Sequence, residues 1–173
     1  EKDALGNVFV KIPGVGEPFF LSAHMDTVDP GKDIIPVIAG GIISSQNNTI
    51  LGADNKATIA VILEVINRLK DKPHRPLEIL FTVDEESKNS GAISFDYKKI
   101  TANKGLIADI ALPIGTIVLG SPAYMRFDIT LIGKSGHAAF PEKANSIISI
   151  LGAILAEAPE GKLDEQTVFT IGK

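Results

Sequence analysis

The 173-residue chain has no cysteine and no tryptophan, and its aromatic content is limited to eight Phe and two Tyr. Without thiols there can be no disulfide scaffold, no thiolate metal site and no cysteine nucleophile. The core must be built from aliphatic side chains. A basic excess is also missing: 17 Lys and Arg against 21 Asp and Glu give a net charge of −4, so no surplus of positive charge is available to neutralise a run of phosphates, and nucleic acid is not expected as a partner. No uninterrupted apolar run approaches the length of a membrane span, and Glu1-Lys2-Asp3 is not a targeting signal. These absences describe a protein without a membrane partner, compatible with the cytoplasm. The start at Glu1 and the stop just after a strand-like run read as the ends of an internal fragment.

What is present is a globular composition, 45% hydrophobic and 22% charged. Short β-rich runs alternate with one long helical pattern, which predicts an α/β fold. Residues 7–12 and 18–23 read as strands joined in a hairpin through Pro13-Gly14-Val15-Gly16. Short strands and turns are expected over 34–52. From Asn55 to Leu69, Thr58, Ile62, Val65, Ile66 and Leu69 recur at helical spacing, and the apolar run Leu77–Val83 follows as a buried strand. Gly105–Ala108 is a further strand. After Gly120-Ser121-Pro122 the texture changes to an alternating strand over Tyr124–Ile132, a helix from about Pro141 to Leu155 and a strand over Thr167–Ile171. A boundary near Gly120 therefore separates a first domain, residues 1–119, from a second, residues 120–173.

The acidic and imidazole groups fall at the carboxyl ends of the expected strands. His24 and Asp26 follow the strand ending at Ala23, Glu85 and Glu86 follow the one ending at Val83, Asp109 follows Ala108, and Asp54 precedes the helix. Open α/β sheets carry their sites at this edge. If the strands are parallel neighbours, five carboxylates converge there, and they would destabilise the fold unless cations lay between them. A dinuclear metal site resolves the conflict. Carboxylates and imidazole without thiolate suit catalytic zinc, with manganese or cobalt as substitutes.

Three segments, Ser22-Ala23-His24-Met25-Asp26-Thr27-Val28, Leu51-Gly52-Ala53-Asp54-Asn55-Lys56-Ala57 and Phe81-Thr82-Val83-Asp84-Glu85-Glu86, resemble the signature segments of the cocatalytic zinc exopeptidases and amidohydrolases related to peptidase T, carboxypeptidase G and the aminoacylases. The wording is most similar to the peptidase T-like branch. The resemblance implies a zinc-exopeptidase-like mixed sheet with flanking helices, followed by part of a smaller α+β, ferredoxin-like lid and dimerisation domain. It implies two zinc ions per complete subunit. His24 would bind one, Asp54 would bridge both, Glu86 would bind the other and Asp109 would complete the first, with Asp84 and Asp96 as competitors for that last role. Glu85 would be the general base for the attacking water, and Asp26 would orient the His24 imidazole. Asn55 stands where many relatives carry a second acid and is given no ligand role. His74, in Lys72-Pro73-His74-Arg75-Pro76, is expected to be an ordinary loop residue, so the family's second metal-binding histidine is expected beyond Lys173. His137, in Gly133-Lys134-Ser135-Gly136-His137, resembles the lid histidine that family members present to substrate, often across a dimer.

The implied activity is hydrolysis of a terminal amide bond of short peptides, in the manner of a tripeptide aminopeptidase. The alternatives are an N-acyl amino acid deacylase or carboxypeptidase of the same family and, from another class, an inactive homologue serving as a binding or dimerisation module. The implied partners are a short peptide substrate and a second copy of the chain, docked through the lid domain.

Overall fold

The computed structural model describes residues 1–121 and 123–172. Pro122, within the Gly120-Ser121-Pro122 break, and Lys173 lie outside the described residues. Two compact units form, Glu1–Pro113 and Ile114–Lys173.

The first unit is organised around a strand that cannot be solvated. β5 (Leu77–Thr82) is buried along its whole length, as expected for a central strand covered on both faces. It pairs antiparallel with β1 (Val8–Ile12) on one side and parallel with β2 (Phe19–His24) on the other. β6 (Gly105–Ile107) adds parallel to β2, so the order is β1-β5-β2-β6. This is a mixed sheet in an α/β unit. The close start of β6 requires glycine: a Cβ on Gly105 would lie 2.8 Å from the Phe20 carbonyl oxygen.

The hairpin expected between residues 7–12 and 18–23 does not form, because β5 separates the two strands. The Pro13–Pro18 connection instead lies against the segment leading into β5: Val15 N–H donates to His74 O at 2.9 Å and Phe19 N–H to Pro76 O at 2.9 Å. Burial decided this. Leu77, Ile79, Leu80 and Phe81 gain more from the centre of the sheet than from its margin.

The alternation of β5 feeds two cores. Leu77, Ile79 and Phe81 pack with Ala23 and Ile62, bordered by Ile59, Ile66 and Leu69 of α1 (Ala53–Leu69). On the other face Leu80 packs with Phe9 and Phe95, the two rings 5.3 Å apart. Phe95 directly follows the short helix α2 (Ser90–Ser94). α1 departs from expectation at three places. Val65 is 37% exposed, so it borders the buried stripe from outside. Thr58 turns its hydroxyl to a backbone carbonyl instead of to the core, and Asp54 and Asn55 have non-helical dihedrals, which leaves the regular helix to begin after them. Between β2 and α1, β3 (Pro36–Ala39) and β4 (Ile42–Ser45) form a separate antiparallel pair.

The second unit contains α3 (Ile147–Glu157) and a minimal antiparallel pair, β7 (Gly161–Lys162) with β8 (Val168–Phe169). The strand expected over Tyr124–Ile132 is absent from the described residues, and Tyr124, Met125, Phe127, Ile129 and Ile132 are all at least 70% exposed. Its alternation is real, but a strand needs a neighbour to take its N–H and C=O groups. Among the described residues no ladder pairs with it. No helix is long and apolar enough to cross a membrane among the described residues.

Candidate metal centre

Parallel pairing brings the carboxyl ends of β2, β5 and β6 to one edge of the first unit. His24 is the last residue of β2 and its ring is 2% exposed. Nδ1 lies 3.0 Å from the Asp26 carbonyl oxygen. A carbonyl only accepts, so Nδ1 carries the proton and Nε2 turns to the acids. Nε2 lies 3.0 Å from Asp54 Oδ1, 3.8 Å from Asp109 Oδ1 and 4.0 Å from Glu85 Oε2. Two sets have ligand atoms all within 4.8 Å of one another: His24, Asp54 and Asp109, and His24, Glu85 and Glu86. All five predicted acids except Asp26 thus belong to a set that includes His24.

Asp26 acts differently from the expected histidine-orienting carboxylate. Its carboxylate is 3.6 Å from His24 Nδ1, and it accepts the backbone N–H groups of Glu85 and Glu86, each at 3.1 Å. The imidazole is oriented by the Asp26 main chain, and the Asp26 side chain braces the two glutamates. Asp84 turns away from the centre to accept the hydroxyls of Ser87 and Ser90. Asp96 caps a 3₁₀ turn by accepting Lys98 N–H. Neither competitor belongs to the sets that surround His24.

α1 ties the strand ends together. Lys56 Nζ donates to Met25 O at 3.0 Å, and Thr58 Oγ1 donates to Ala108 O at 2.6 Å, fixing the residues next to Asp26 and Asp109. Sequence reading missed both roles. The available signal was their position in the first turns of the helix that carries Asp54.

The electrostatics record a crowded anionic site. Burial opposes charging His24, but acceptance by Asp54 and the charges of Asp109 and Glu85 prevail and hold its pKa above the ordinary value. Burial raises the Glu85 carboxyl, and Asp109, Glu86 and Asp26 raise it further against the pull of His24. Asp109 is likewise raised by burial and by Asp54. For Asp26 burial is outweighed by the N–H groups of Glu85 and Glu86, and its pKa falls. An imidazole lone pair facing several carboxylate oxygens is reconciled by a proton or by a cation. The donor set, one nitrogen and several oxygens without sulfur, fits a divalent cation of the zinc, manganese or cobalt type.

His74 lies before β5 and its Nδ1 faces the adjacent Arg75 carbonyl, at 2.7 Å. His137 belongs to the second unit, where its Nδ1 accepts Ala139 N–H at 3.1 Å and its ring lies 6.1 Å from that of Phe140.

Residues 20–160 match the peptidase family M20/M25/M40. The chain belongs to this family. It is 35% identical over 173 residues to the uncharacterized protein YqjE of Bacillus subtilis, covering 97% of this chain and 47% of that protein. A probable carboxypeptidase of Ajellomyces dermatitidis is 29% identical over 158 residues, covering 87% of this chain and 36% of the relative. The chain therefore spans about half the length, or less, of these relatives. Among solved structures, a tripeptidase from Staphylococcus aureus superposes with a TM-score of 0.77 at 30% identity, over 95% of this chain and 48% of that one. The aminopeptidase PepT from Bacillus cereus gives 0.63 at 34% identity, over 92% and 44%.

Proposed function

We propose that the full-length protein is a dinuclear zinc exopeptidase that removes a residue from the amino terminus of short peptides, tripeptides in particular. The observation that carries this reading is the meeting of His24, Asp54, Asp109, Glu85 and Glu86 where parallel β2, β5 and β6 end. The likeness to a tripeptidase and to an aminopeptidase supports the choice of substrate. His24, Asp54 and Asp109 would hold one cation, and Glu86 the other with Asp54 shared between them. When bound, such cations lower the pKa of water and polarise the scissile carbonyl.

Glu85 is the general base. Its raised carboxyl pKa brings it nearer the range in which a carboxylate both takes a proton from attacking water and returns it to the leaving amine. The Asp26 carboxylate keeps the Glu85 and Glu86 main chain in place, and the His137 imidazole donates to the developing oxyanion. The full-length protein is a cytoplasmic homodimer that pairs through the domain beginning near Gly120.

The probable carboxypeptidases among the relatives favour a second reading, in which the peptide is cut from its other end or an N-acyl amino acid is deacylated. The test is hydrolysis by full-length protein loaded with zinc, manganese or cobalt. Tripeptides with free amino termini are compared with N-blocked dipeptides and N-acetyl amino acids. Turnover confined to free-amino-terminus peptides is expected, preference for blocked substrates selects the second reading, and no turnover of any of them with two ions bound removes the enzymatic reading.

A further inference from the structure

Asn7 is the most deeply buried polar residue of the first unit, 1% exposed, and it lies outside the sets that surround His24. Its side-chain amide is engaged at both ends, oxygen and nitrogen. Oδ1 accepts the Val83 N–H at 3.1 Å, and Nδ2 donates to Gly91 O at 2.9 Å and to Asp3 Oδ2 at 2.7 Å. Val83 and Gly91 are the two ends of the loop that carries Glu85 and Glu86. One planar amide therefore holds both ends of that loop to the start of β1.

The contact is close enough to exclude alternatives. A Cβ on Gly91 would fall 2.5 Å from Asn7 Oδ1 and 2.3 Å from the Val83 carbonyl oxygen, so the start of α2 sits directly on the Asn7–Val83 contact. Asp3 in turn fixes Asn7: its Oδ1 accepts the N–H groups of Leu5, Gly6 and Asn7, at 3.0, 2.9 and 2.9 Å. Within the loop, Asp84 takes a positive φ of 60° and gathers the Ser87 and Ser90 hydroxyls. From the opposite side Asp26 holds the Glu85 and Glu86 N–H groups. The loop is thus braced from two directions, by a carboxylate inside the centre and by an amide outside it.

We infer that Asn7 is a positioning residue for Glu85 and Glu86, which sets the placement of the general base without touching substrate or cation. The inference rests on the roles proposed above for these two glutamates. Its physical basis is that an amide alone offers the acceptor needed by Val83 N–H and the donors needed by Gly91 O and Asp3, and that misplacing a reacting group by about 1 Å costs roughly 100-fold in rate.

The test uses full-length protein at saturating zinc with a tripeptide substrate, and compares Asn7→Ala, Asp3→Asn and the core variant Ile62→Val. Asp3→Asn leaves Asn7 in place but sets a donor against its Nδ2. Amide hydrogen exchange of Val83, Glu85 and Glu86 is measured beside that of the β5 interior. In Asn7→Ala these three amides should exchange about 10-fold faster or more while the β5 interior does not. Its kcat should fall about 10-fold to 100-fold with KM within about twofold. Asp3→Asn should show the same pattern, weaker, whereas Ile62→Val should lower the melting temperature with kcat unchanged. If Asn7→Ala does not fold, Asp3→Asn decides alone. Unchanged exchange at Val83, Glu85 and Glu86 overturns the inference whether or not peptides are cleaved. Faster exchange with unchanged kcat overturns it as well. A wild-type protein that cleaves no peptide counts against the proposed function only, because the exchange comparison still decides the role of Asn7.

Discussion

The two ends of the β5 strand carry carboxylates that the fold treats in opposite ways. Near its start, Glu78 is 3% exposed and surrounded by donors: Thr101 N–H at 2.7 Å, Thr101 Oγ1 at 2.8 Å, Ala102 N–H at 3.0 Å and Lys11 Nζ at 3.0 Å. Burial alone would raise its pKa, but the Ala102 N–H, Lys11 and Thr101 overcome it and bring the value down to about 2. Beyond the other end Glu85, and Asp109 after the end of β6, meet other acids and their pKa values rise. The difference separates a carboxylate that is finished as part of the structure from carboxylates that still need a positive partner. Only the second kind describes a site for a cation and for proton transfer.

The sharpest way to break this contrast is Glu85→Gln, which keeps shape and removes the proposed base. It should bind zinc as the wild type does and lose about 100-fold to 10,000-fold in kcat. Comparable turnover at saturating metal would take Glu85 out of its role. Asp54→Ala should weaken cation binding at both positions by about 100-fold or more, because the ligand proposed to be shared is lost. Calorimetric titration with zinc checks this, and two sites of undiminished affinity would contradict the bridge.

Glu78→Gln should leave zinc binding and kcat unaltered but reduce stability at neutral pH by roughly 3 kcal/mol, the equivalent of its depressed pKa. The sign follows from the direction of the shift. The folded value of about 2 lies below the ordinary 4.5, so the contribution is complete above about pH 4.5 and disappears as pH falls towards 2. Denaturant titrations over that window should show a steep acid loss in the wild type and a flatter one in the variant. At the small end, His74→Ala should leave zinc affinity and turnover within about twofold, as expected for a half-buried loop side chain before β5 whose Nδ1 faces its neighbour's carbonyl. A loss of one zinc ion in that variant would show that the centre draws on an imidazole from the opposite end of the sheet.

The site was more legible than the sheet that builds it. His24, Asp54, Glu85, Glu86 and Asp109 stood out because each follows a strand-like run or opens a helix, and local pattern is enough to locate such positions. The hairpin expected through Pro13–Gly16 failed because a turn signal says that the chain reverses, not which strand lies beside it. The strand expected over Tyr124–Ile132 failed for a related reason, since alternation specifies two faces but supplies no neighbour. Asn7 and Thr58 were missed because a polar side chain acquires its role from backbone groups remote in sequence: Val83 and Gly91 for the first, Ala108 for the second.

By itself the sequence determined the chemistry available: acids and histidine without thiols, placed at strand ends and in an order shared with a peptidase family. These are properties of residue type and short-range spacing, which the chain carries before it folds. Only the tertiary structure decided the pairing of β5 between β1 and β2, and with it which acids meet one another and which meet donors. Side-chain type sets what a carboxylate can do, but its charge, its partners and its pKa depend on groups brought together across the sheet, and those distances exist only in the folded chain.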